Sequence, residues 1–189
     1  MKTERLCAFT DGVLAIVITI MVLELPVPEG AGWAALRPEL FLFGVYALSF
    51  IKVGIYWSNH HHMLQAARRV DGGVLWANNF LLFWLSLVPF VMRWVGETGI
   101  TRDTVVAFGV VMVMCAIAYS ILKRALIAAE GSDSVVGKAT GSDLKGRLSI
   151  LAYLAAIGTA FIFPPAAIAI YIAVAAMWLI PDRRFERIL

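Results

Sequence analysis

Charged residues are scarce in this sequence: Asp, Glu, Lys and Arg together make up only 15% of its 189 residues. Soluble domains average about 25% charged and about 45–50% apolar residues, whereas 61% of this chain is hydrophobic. Intrinsic disorder is excluded because it requires low hydrophobicity and high net charge. Cysteine is also scarce, and the distant pair Cys7 and Cys115 excludes a disulfide-stapled secreted domain. The remaining class is a membrane protein with several spans.

Long polar stretches are missing too, apart from residues 130–145, which carry Gly-Ser-Asp twice. By composition this stretch is a flexible loop. Gly131 and Gly137-Lys138 resemble a phosphate-binding P-loop, but the spacing is one residue too long and Ala139 stands where Ser or Thr is required. No soluble domain is left to house an active site, so we expect a protein that is not an enzyme.

The sequence does contain a series of apolar segments separated by short polar or proline-containing turns. A helix needs about 20 apolar residues to cross a bilayer, and six segments reach or approach that length. They cover residues 6–25, 40–64, 73–95, 105–128, 148–163 and 166–180. Pro164-Pro165 separates the last two, because adjacent prolines remove two amide donors and favour a turn. We predict an all-α fold in which residues 1–189 form one domain with six transmembrane helices.

The first apolar segment differs from a cleavable signal peptide. Asp11 interrupts it, and no convincing small-x-small cleavage site follows it. We therefore expect it to remain as the first helix of the mature protein.

The distribution of basic residues predicts the orientation of the six helices. One side of the membrane would hold twelve of the sixteen basic residues, and the other side three, with Lys52 in mid-span. The larger set is Lys2, Arg5, Arg68, Arg69, Lys123, Arg124, Lys138, Lys145, Arg147, Arg183, Arg184 and Arg187; the smaller is Arg37, Arg93 and Arg102. Because short cytoplasmic loops are enriched in Lys and Arg, both termini are predicted to be cytoplasmic, in a multi-pass protein of the cell membrane. The net charge of +3 therefore indicates topology and not a nucleic-acid partner.

Asp11 is the first ionisable residue inside a predicted span, close to its cytoplasmic end. Arg5 precedes it by six residues, which places the two side chains roughly 240° apart around a helix, so they cannot pair directly on one face. Asp11 therefore needs a partner from another helix or another subunit, unless it lies in the hydrated headgroup zone.

Several polar residues are predicted at the same depth as Asp11. They are Trp57, Asn59, His60, His61 and His62 at the end of the second span and Asn78 and Asn79 in the third. The first three helices can therefore share one hydrogen-bonded cluster. A metal or haem site on the histidines is a weaker reading, because consecutive histidines point to different helix faces whereas ligands on one helix prefer i, i+4 spacing. We expect no metal and no cofactor.

Two further features are open to two interpretations each. Lys52 in mid-span is either a proton-coupled or counter-ion residue, or a lysine that snorkels or bonds to carbonyl groups. Ile16, Thr19 and Leu23, with Ile20 near the same stripe, lie within about 60° of one another on the first helix. Periodicity alone favours ordinary core packing for this stripe.

The segment Arg5-Leu6-Cys7-Ala8-Phe9-Thr10-Asp11 resembles the R-x-x-x-F-S-D signature of the transmembrane-protein-175 potassium channels. Thr10 replaces the signature serine and keeps its hydroxyl. Trp57 and the histidines at 60–62 give weaker support to the same resemblance. Prokaryotic members of that family have a similar length and six helices per subunit, and they assemble as tetramers.

The resemblance implies that four copies of the first helix line a pore. Ile16 would form the narrowest apolar ring, Thr19 a hydroxyl ring one turn outward, and Leu23 a further apolar ring, with Ile20 beside them. Arg5 and Asp11 would belong to a buried network that fixes the inner helix ends. The K⁺-channel motif T-V-G-Y-G is absent, so we expect passive flow of K⁺ with only a modest preference over Na⁺ through a homotetramer in the bilayer.

Two other functions remain possible at this point. A proton-coupled secondary transporter would use Asp11, Lys52 and His60–His62 as a relay, but the sequence has no inverted repeat of interrupted helices. A membrane enzyme or haem carrier would be built on His60–His62. In the channel reading, Asp11 and the same histidines are candidates for pH sensitivity, since histidine titrates near neutrality.

Overall fold

The computed structural model describes residues 3–30, 32–140 and 143–179, and these residues form helices without any strand. The all-helical prediction is therefore confirmed for the described part of the chain. In order, the helices are α1 Thr3–Leu23, a 3₁₀ helix Trp33–Leu36, α2 Leu40–Gln65, α3 Gly72–Ser86, α4 Val88–Thr98, α5 Arg102–Glu130, α6 Val135–Thr140, α7 Leu144–Ala160 and α8 Pro164–Leu179.

Four helical segments of the described chain are long and apolar enough to cross a bilayer. They are Thr3–Leu23, Leu40–Gln65, Gly72–Thr98 and Arg102–Glu130, and Pro164–Leu179 is a shorter apolar helix. These helices coincide with five of the six predicted spans to within a few residues, and α7 overlaps the remaining one. The last predicted residue of the sixth span, Ile180, lies outside the described residues, as do Lys2 and the basic residues at 183, 184 and 187. The number of membrane crossings and their orientation stay predictions.

The third predicted span differs from the expected single helix. It consists of α3 and α4, which meet at Leu87. Pro89 occupies the first turn of α4, where its missing N–H and fixed φ are tolerated. The Leu87 N–H bonds to the Trp84 carbonyl three residues back, at 3.2 Å, so the last turn of α3 tightens before the chain restarts. The apolar composition of residues 73–95 hid this break.

The flanking residues explain where two other helices begin. Thr101 caps α5: its hydroxyl accepts from the Thr104 N–H at 3.3 Å, and the Thr104 hydroxyl accepts from the Thr101 N–H at 3.2 Å. This reciprocal capping box satisfies amide groups that a helix start leaves free. It extends α5 by three residues beyond the predicted apolar stretch. Pro164 and Pro165 occupy the first turn of α8, so the predicted turn between the last two apolar segments is present at residues 161–163.

The stretch at 130–145 is more structured than its composition predicts. It contains α6, in which Val136 is fully buried. Asp143 forms an ion pair with Lys123 of α5, and Glu130 accepts the backbone N–H groups of Arg68 and of Arg69, the latter at 2.9 Å. Residues 135–140 are therefore helical and not a loop as predicted, and the charged residues Glu130 and Asp143 have partners elsewhere in the chain.

The core of the subunit is built around α5. This helix packs most extensively against α3 and α7 and also contacts α4, α6 and α8. In contrast, α1 packs only along one side, against α2, α3 and α4. The first helix therefore lies at the edge of the subunit and leaves one face uncovered.

Candidate ion pathway and the polar network behind it

The first helix has one face that packs into the subunit. Its buried residues recur at helical spacing and are Leu6, Thr10, Leu14, Val17 and Met21. Met21 is completely buried, and Thr10 is the one polar member. This spacing of three and four residues keeps the set on one side of the helix. It anchors α1 to α2, α3 and α4.

The opposite face of α1 is uncovered and carries the predicted stripe. Ile16 is 59% exposed, Ile20 40% and Leu23 80%, and Thr19 is exposed as well. Ile16, Thr19 and Leu23 lie roughly 150° around the helix from the centre of the buried face. Periodicity alone predicts that this stripe packs in the core. Within the subunit that prediction is wrong, because the side chains of the stripe are exposed.

The Thr19 hydroxyl has a defined orientation. It donates to backbone carbonyls of its own helix, to Ala15 O at 2.9 Å and to Ile16 O at 3.0 Å. A hydroxyl has one proton and two acceptor lone pairs. With the proton directed back to the helix, the lone pairs remain for a donor or a cation outside it.

A groove of about 420 Å³ runs beside the stripe, between α1 and the region of the α3–α4 break. One wall consists of residues of α1 and the residue that follows it: Val13, Ile16, Val17, Ile20 and Glu24. The opposite wall consists of Ser86, Pro89, Phe90 and Arg93. At its end, the Arg93 guanidinium lies 2.6 Å from a Glu24 carboxylate oxygen. The Leu23 end of α1 is therefore held by an ion pair and otherwise borders an open groove.

Three polar side chains form a chain of hydrogen bonds behind α1. Asn78 of α3 donates through Nδ2 to Thr10 Oγ1 of α1 at 3.0 Å, and its Oδ1 lies 2.7 Å from His60 Nε2 of α2. Because the amide oxygen accepts, His60 carries its proton on Nε2 in this arrangement. All three side chains are buried. Buried polar groups are costly unless paired, so this chain fixes how α1, α2 and α3 rotate against one another.

Asp11 finds its partner on α2. Trp57 Nε1 donates to Asp11 Oδ1 at 2.9 Å, and the Trp57 ring stacks on His61 at 5.9 Å between ring centroids. His61 in turn lies 2.8 Å from Gln65 Nε2. Two polar connections, one through Thr10 and one through Asp11, therefore hold the same end of α1.

The remaining predicted network residues lie outside these two connections. Arg5 is exposed and forms no ion pair with Asp11 in the described part of the chain, Phe9 is 55% exposed, and Asn79 is exposed. Asn59 donates to Ile55 O of its own helix at 2.8 Å. His62 packs edge-on against His61, with ring centroids 6.0 Å apart. The predicted single cluster is thus divided into smaller groups.

The described residues contain no group of three or more His, Cys, Asp or Glu side chains that could hold a metal ion. His61 Nδ1 and His62 Nδ1 are buried without a hydrogen-bond partner among those residues. The His61 ring stacks on Trp57, and the His62 ring packs edge-on against His61.

Lys52 lies on another side of α2, away from the Asp11 and His60 groups. It is only 3% exposed, and its Nζ donates to the Tyr153 hydroxyl of α7 at 3.1 Å. The ammonium also lies 5.0 Å from the centre of the Tyr153 ring. The relay of Asp11, Lys52 and histidines that a proton-coupled transporter would need is not brought together, and Lys52 does not snorkel.

Sequence reasoning missed several partners of these residues. Tyr153, the Tyr119 hydroxyl that donates to Asn59 O at 3.2 Å, and the Arg93–Glu24 pair were not singled out. A tyrosine in an apolar helix carries no special spacing signal. Arg93 and Glu24, however, are opposite charges near the same predicted membrane surface, and that coincidence could have suggested their pairing.

The residues of both polar connections fall within one region of sequence similarity. The sequence model of the family described as "Endosomal/lysosomal potassium channel TMEM175" matches residues 5–89, which include Thr10, Asp11, Trp57, His60 and Asn78. A curated potassium channel from Chryseobacterium sp. (strain P1-3) is 50% identical over 187 residues, covering 99% of this chain and 97% of that protein. The chain belongs to the TMEM175 family. The resemblance carried by Arg5–Asp11 is thereby confirmed.

Other comparisons agree with membership of the TMEM175 family. A potassium channel from Streptomyces collinus is 28% identical over 181 residues, covering 89% of this chain and 87% of that protein. The crystal structure of a lysosomal potassium-selective channel TMEM175 homolog from Chamaesiphon minutus matches with a TM-score of 0.78 and 25% identity, over 95% of this chain and 97% of that one. The fold described above is thus a TMEM175-family fold, and the chain is a membrane protein.

Proposed function

We propose that this protein is a potassium-permeable channel in which four copies of α1 surround the ion path. The observation that carries the proposal is the uncovered face of α1, where Ile16 and Leu23 flank the Thr19 hydroxyl. An apolar face alone would suit contact with lipid equally well. The exposed hydroxyl, the ionisable groups near both ends of α1, and membership of a family with channel relatives favour an ion path instead.

Ile16 and Leu23 would provide apolar constrictions. Rings of large apolar side chains gate by dewetting, because a narrow hydrophobic passage expels the water that an ion needs around it. The exposed fractions of 59% and 80% leave both side chains free to project from the subunit. Gating would then arise in α1 itself, without nucleotide or covalent cofactor.

Thr19 would provide the hydroxyl ring between these constrictions. Since its proton is donated to Ala15 O and Ile16 O, the oxygen would present lone pairs toward a passing cation. Four hydroxyl oxygens replace only part of an ion's hydration shell. We therefore expect a modest preference for K⁺ over Na⁺, set by partial dehydration at the neighbouring apolar rings.

The proposed topology has six crossings: α1, α2, the α3–α4 pair, α5, α7 and α8. It is supported by the distribution of basic residues, twelve toward the side of both termini and three toward the other. An odd number of crossings would mix these two sets. Both termini would then be cytoplasmic, and the protein would lie in the cell membrane as a homotetramer.

A flux assay in liposomes with a K⁺ gradient tests the ion path. Ile16→Asn should widen and hydrate the constriction, and so raise K⁺ flux or lower K⁺ over Na⁺ selectivity. Ile172→Asn is the matched control, because Ile172 is similarly exposed at 51% but lies on α8, which packs mainly against α7, α2 and α5. Wild-type flux and selectivity in Ile16→Asn would overturn the assignment of α1 to the pore.

The assembly can be tested separately by native mass spectrometry of the detergent-solubilised protein. Four chains of 20.7 kDa are expected in one particle. A monomer or dimer that still conducts K⁺ in liposomes would contradict the tetrameric pore.

A further inference from the structure

A second polar site lies within the helix bundle, and no residue of α1 lines it. A cavity of about 40 Å³ lies between α2, α5, α7 and α8. Its lining includes the side chains of Lys52, Tyr56, Asn59, Ser149, Tyr153 and Trp178. Neither Asp nor Glu lines it. A protonated Lys52 would therefore give the cavity a positive charge that no lining carboxylate balances.

The charge of Lys52 is unbalanced within the described chain. The side chain is 3% exposed and forms no ion pair with a described carboxylate. Its hydrogen-bond partner is the Tyr153 hydroxyl at 3.1 Å, and the Tyr153 ring face lies 5.0 Å away. An ammonium has three protons to donate, and a buried charge is costly unless it is paired. One neutral hydroxyl and one aromatic ring offset only a small part of the free-energy cost of burying this ammonium.

Two tyrosine hydroxyls add further donors to the same cavity. Tyr153 accepts from Lys52, and its own proton has no acceptor among the described residues. The Tyr56 hydroxyl forms no hydrogen bond with any described residue, and Tyr56 also lines the cavity. Two protons of the ammonium and two phenolic O–H groups therefore have no acceptor among the described residues, and an anion requires such free donors.

The polar groups that remain in the lining have protein partners. Ser149 donates to Lys145 O at 2.8 Å and accepts from Trp178 Nε1 at 2.7 Å. Asn59 donates to Ile55 O at 2.8 Å. None of these side chains accepts a hydrogen bond from Lys52, Tyr56 or Tyr153 in the described structure.

The size of the cavity limits what it can hold. A water molecule needs roughly 10–15 Å³ on this measure, so a space of about 40 Å³ accommodates a monatomic anion with at most a water or two. Gly146 and Ser149 at the start of α7 and Trp178 near the end of α8 mark the end of the bundle from which an ion would enter.

We propose that this cavity binds a small monovalent inorganic anion, chloride in the cell, as the counter-ion of Lys52. The anion accepts hydrogen bonds from the Lys52 ammonium and the hydroxyls of Tyr56 and Tyr153. It thereby joins α2 to α7. The site is independent of which residues line the pore.

Thermal unfolding of the purified protein at constant ionic strength tests the site. Replacing potassium gluconate by potassium chloride should raise the unfolding midpoint saturably, by roughly 5–10 °C when chloride exceeds its Kd about a hundredfold. Lys52→Met should abolish this dependence. A wild-type midpoint equal in gluconate and chloride, or a dependence unchanged in Lys52→Met, would overturn the proposal.

A second pair of variants keeps the test informative if Lys52→Met does not fold. Tyr153→Phe should raise the chloride concentration needed for half the shift by about tenfold, the effect expected for one lost hydrogen bond to a charged group. Tyr171→Phe is the matched control, because the buried Tyr171 hydroxyl donates to Val105 O at 3.0 Å and does not line the cavity. It should lower the midpoint in both salts and leave the chloride dependence intact. Equal chloride dependence in Tyr153→Phe and the wild type would contradict the assigned contacts.

Discussion

Arg93 of α4 and Glu24, just beyond the end of α1, form an ion pair with 2.6 Å between Nη1 and Oε2. The same guanidinium donates through Nε to Glu97 Oε1, also at 2.6 Å. Arg93 and Glu24 line the groove that also contains Ile16 and Ile20. One cation and two carboxylates thus lie beside the outer end of the proposed ion path.

Arg93→Gln should raise K⁺ current at low salt. The substitution removes a positive charge beside the proposed mouth and leaves both carboxylates uncompensated, so the local concentration of K⁺ rises. We expect roughly a twofold gain in single-channel current in about 20 mM KCl, and Glu24→Gln should lower the current. The variants should converge with the wild type in about 1 M KCl, where the Debye length is only about 3 Å.

Arg102→Gln is the matched control for this charge effect. Arg102 is also exposed and pairs with its neighbour Asp103 at 2.8 Å, but it does not line the groove beside α1. Its current should equal that of the wild type at both salt concentrations. Equal currents in Arg93→Gln and Arg102→Gln at low salt would place Arg93 away from the ion path.

The hydrogen bond between Thr10 and Asn78 should appear as a coupling energy in a double-mutant cycle. Thr10→Val or Asn78→Leu strands a buried polar partner, which costs about 1–3 kcal/mol. Because the double variant removes both groups, its loss should be smaller than the sum of the single losses by about 1–2 kcal/mol. SDS-titration unfolding of the purified protein at one concentration measures the four free energies of unfolding.

Thr159→Val provides the reference cycle. Its hydroxyl donates to Ala155 O within α7 at 2.8 Å, far from Asn78 in the chain and on a different helix. Combined with Asn78→Leu it should be additive to within about 0.5 kcal/mol. Additivity for Thr10 and Asn78 as well would mean that their contact does not stabilise the protein.

Trp57→Phe should expose Cys7 to alkylation. The change removes the Nε1–H that donates to Asp11 at 2.9 Å and keeps an aromatic ring beside His61. Losing a partly exposed hydrogen bond to a carboxylate costs about 1 kcal/mol. If local release of α1 limits the reaction of Cys7 with maleimide, that energy corresponds to roughly a fivefold faster reaction. Cys115, fully buried in α5, is the internal reference and should not change.

The control for that labelling experiment is Trp33→Phe. Trp33 is 89% exposed in the short 3₁₀ helix, distant in sequence from both cysteines. In Trp33→Phe, Cys7 should react with maleimide at the wild-type rate. A Cys7 rate in Trp57→Phe that matches Trp33→Phe would show that the indole does not hold the inner end of α1.

Gly109→Ala should destabilise the packing of α5 against α7 and α8. A Cβ at this position would overlap the Tyr171 hydroxyl and lie 2.7 Å from Ile157 Cγ1. Overpacking of this kind costs about 1–3 kcal/mol, measured by the same SDS titration. Gly44→Ala in α2, with nothing within 4 Å of the added Cβ, should be neutral or slightly stabilising. Equal stability of the two variants would contradict the close approach at Gly109.

The apolar composition of the sequence predicted the ends of most helices to within a few residues. It did not predict where a helix is interrupted. The predicted segment 40–64 and the observed Leu40–Gln65 nearly coincide, because a long apolar run bounded by polar residues has few alternatives in a membrane protein. The break at Leu87 was missed although Pro89 signals it, since a proline inside an apolar run often ends or kinks a helix. A hydropathy profile alone does not reveal the helix break at Leu87.

For the polar network, the participating residues were easier to predict than their pairings. Thr10, His60 and Asn78 stood out as polar groups in apolar spans, where each needs a partner. Which partner each takes depends on the rotation and packing of three helices, which spacing within one helix does not determine. Tyr153 gave no signal at all, and its importance follows only from its position beside Lys52. The assignment of Ile16, Thr19 and Leu23 to a pore stays a prediction.

The junction of α3 and α4 divides the support of α1 into two independently attached parts. Asn78 of α3 holds Thr10 at one end, and Arg93 of α4 holds Glu24 at the other. Ser86 and Pro89, on either side of the junction, lie along the groove beside Ile16 and Ile20. We expect a tilt of α4 to displace the Glu24 end of α1 while the Thr10 end stays in place. In the proposed channel, a stimulus acting on one membrane surface would then open its own half of the passage without disturbing the half that faces the other compartment.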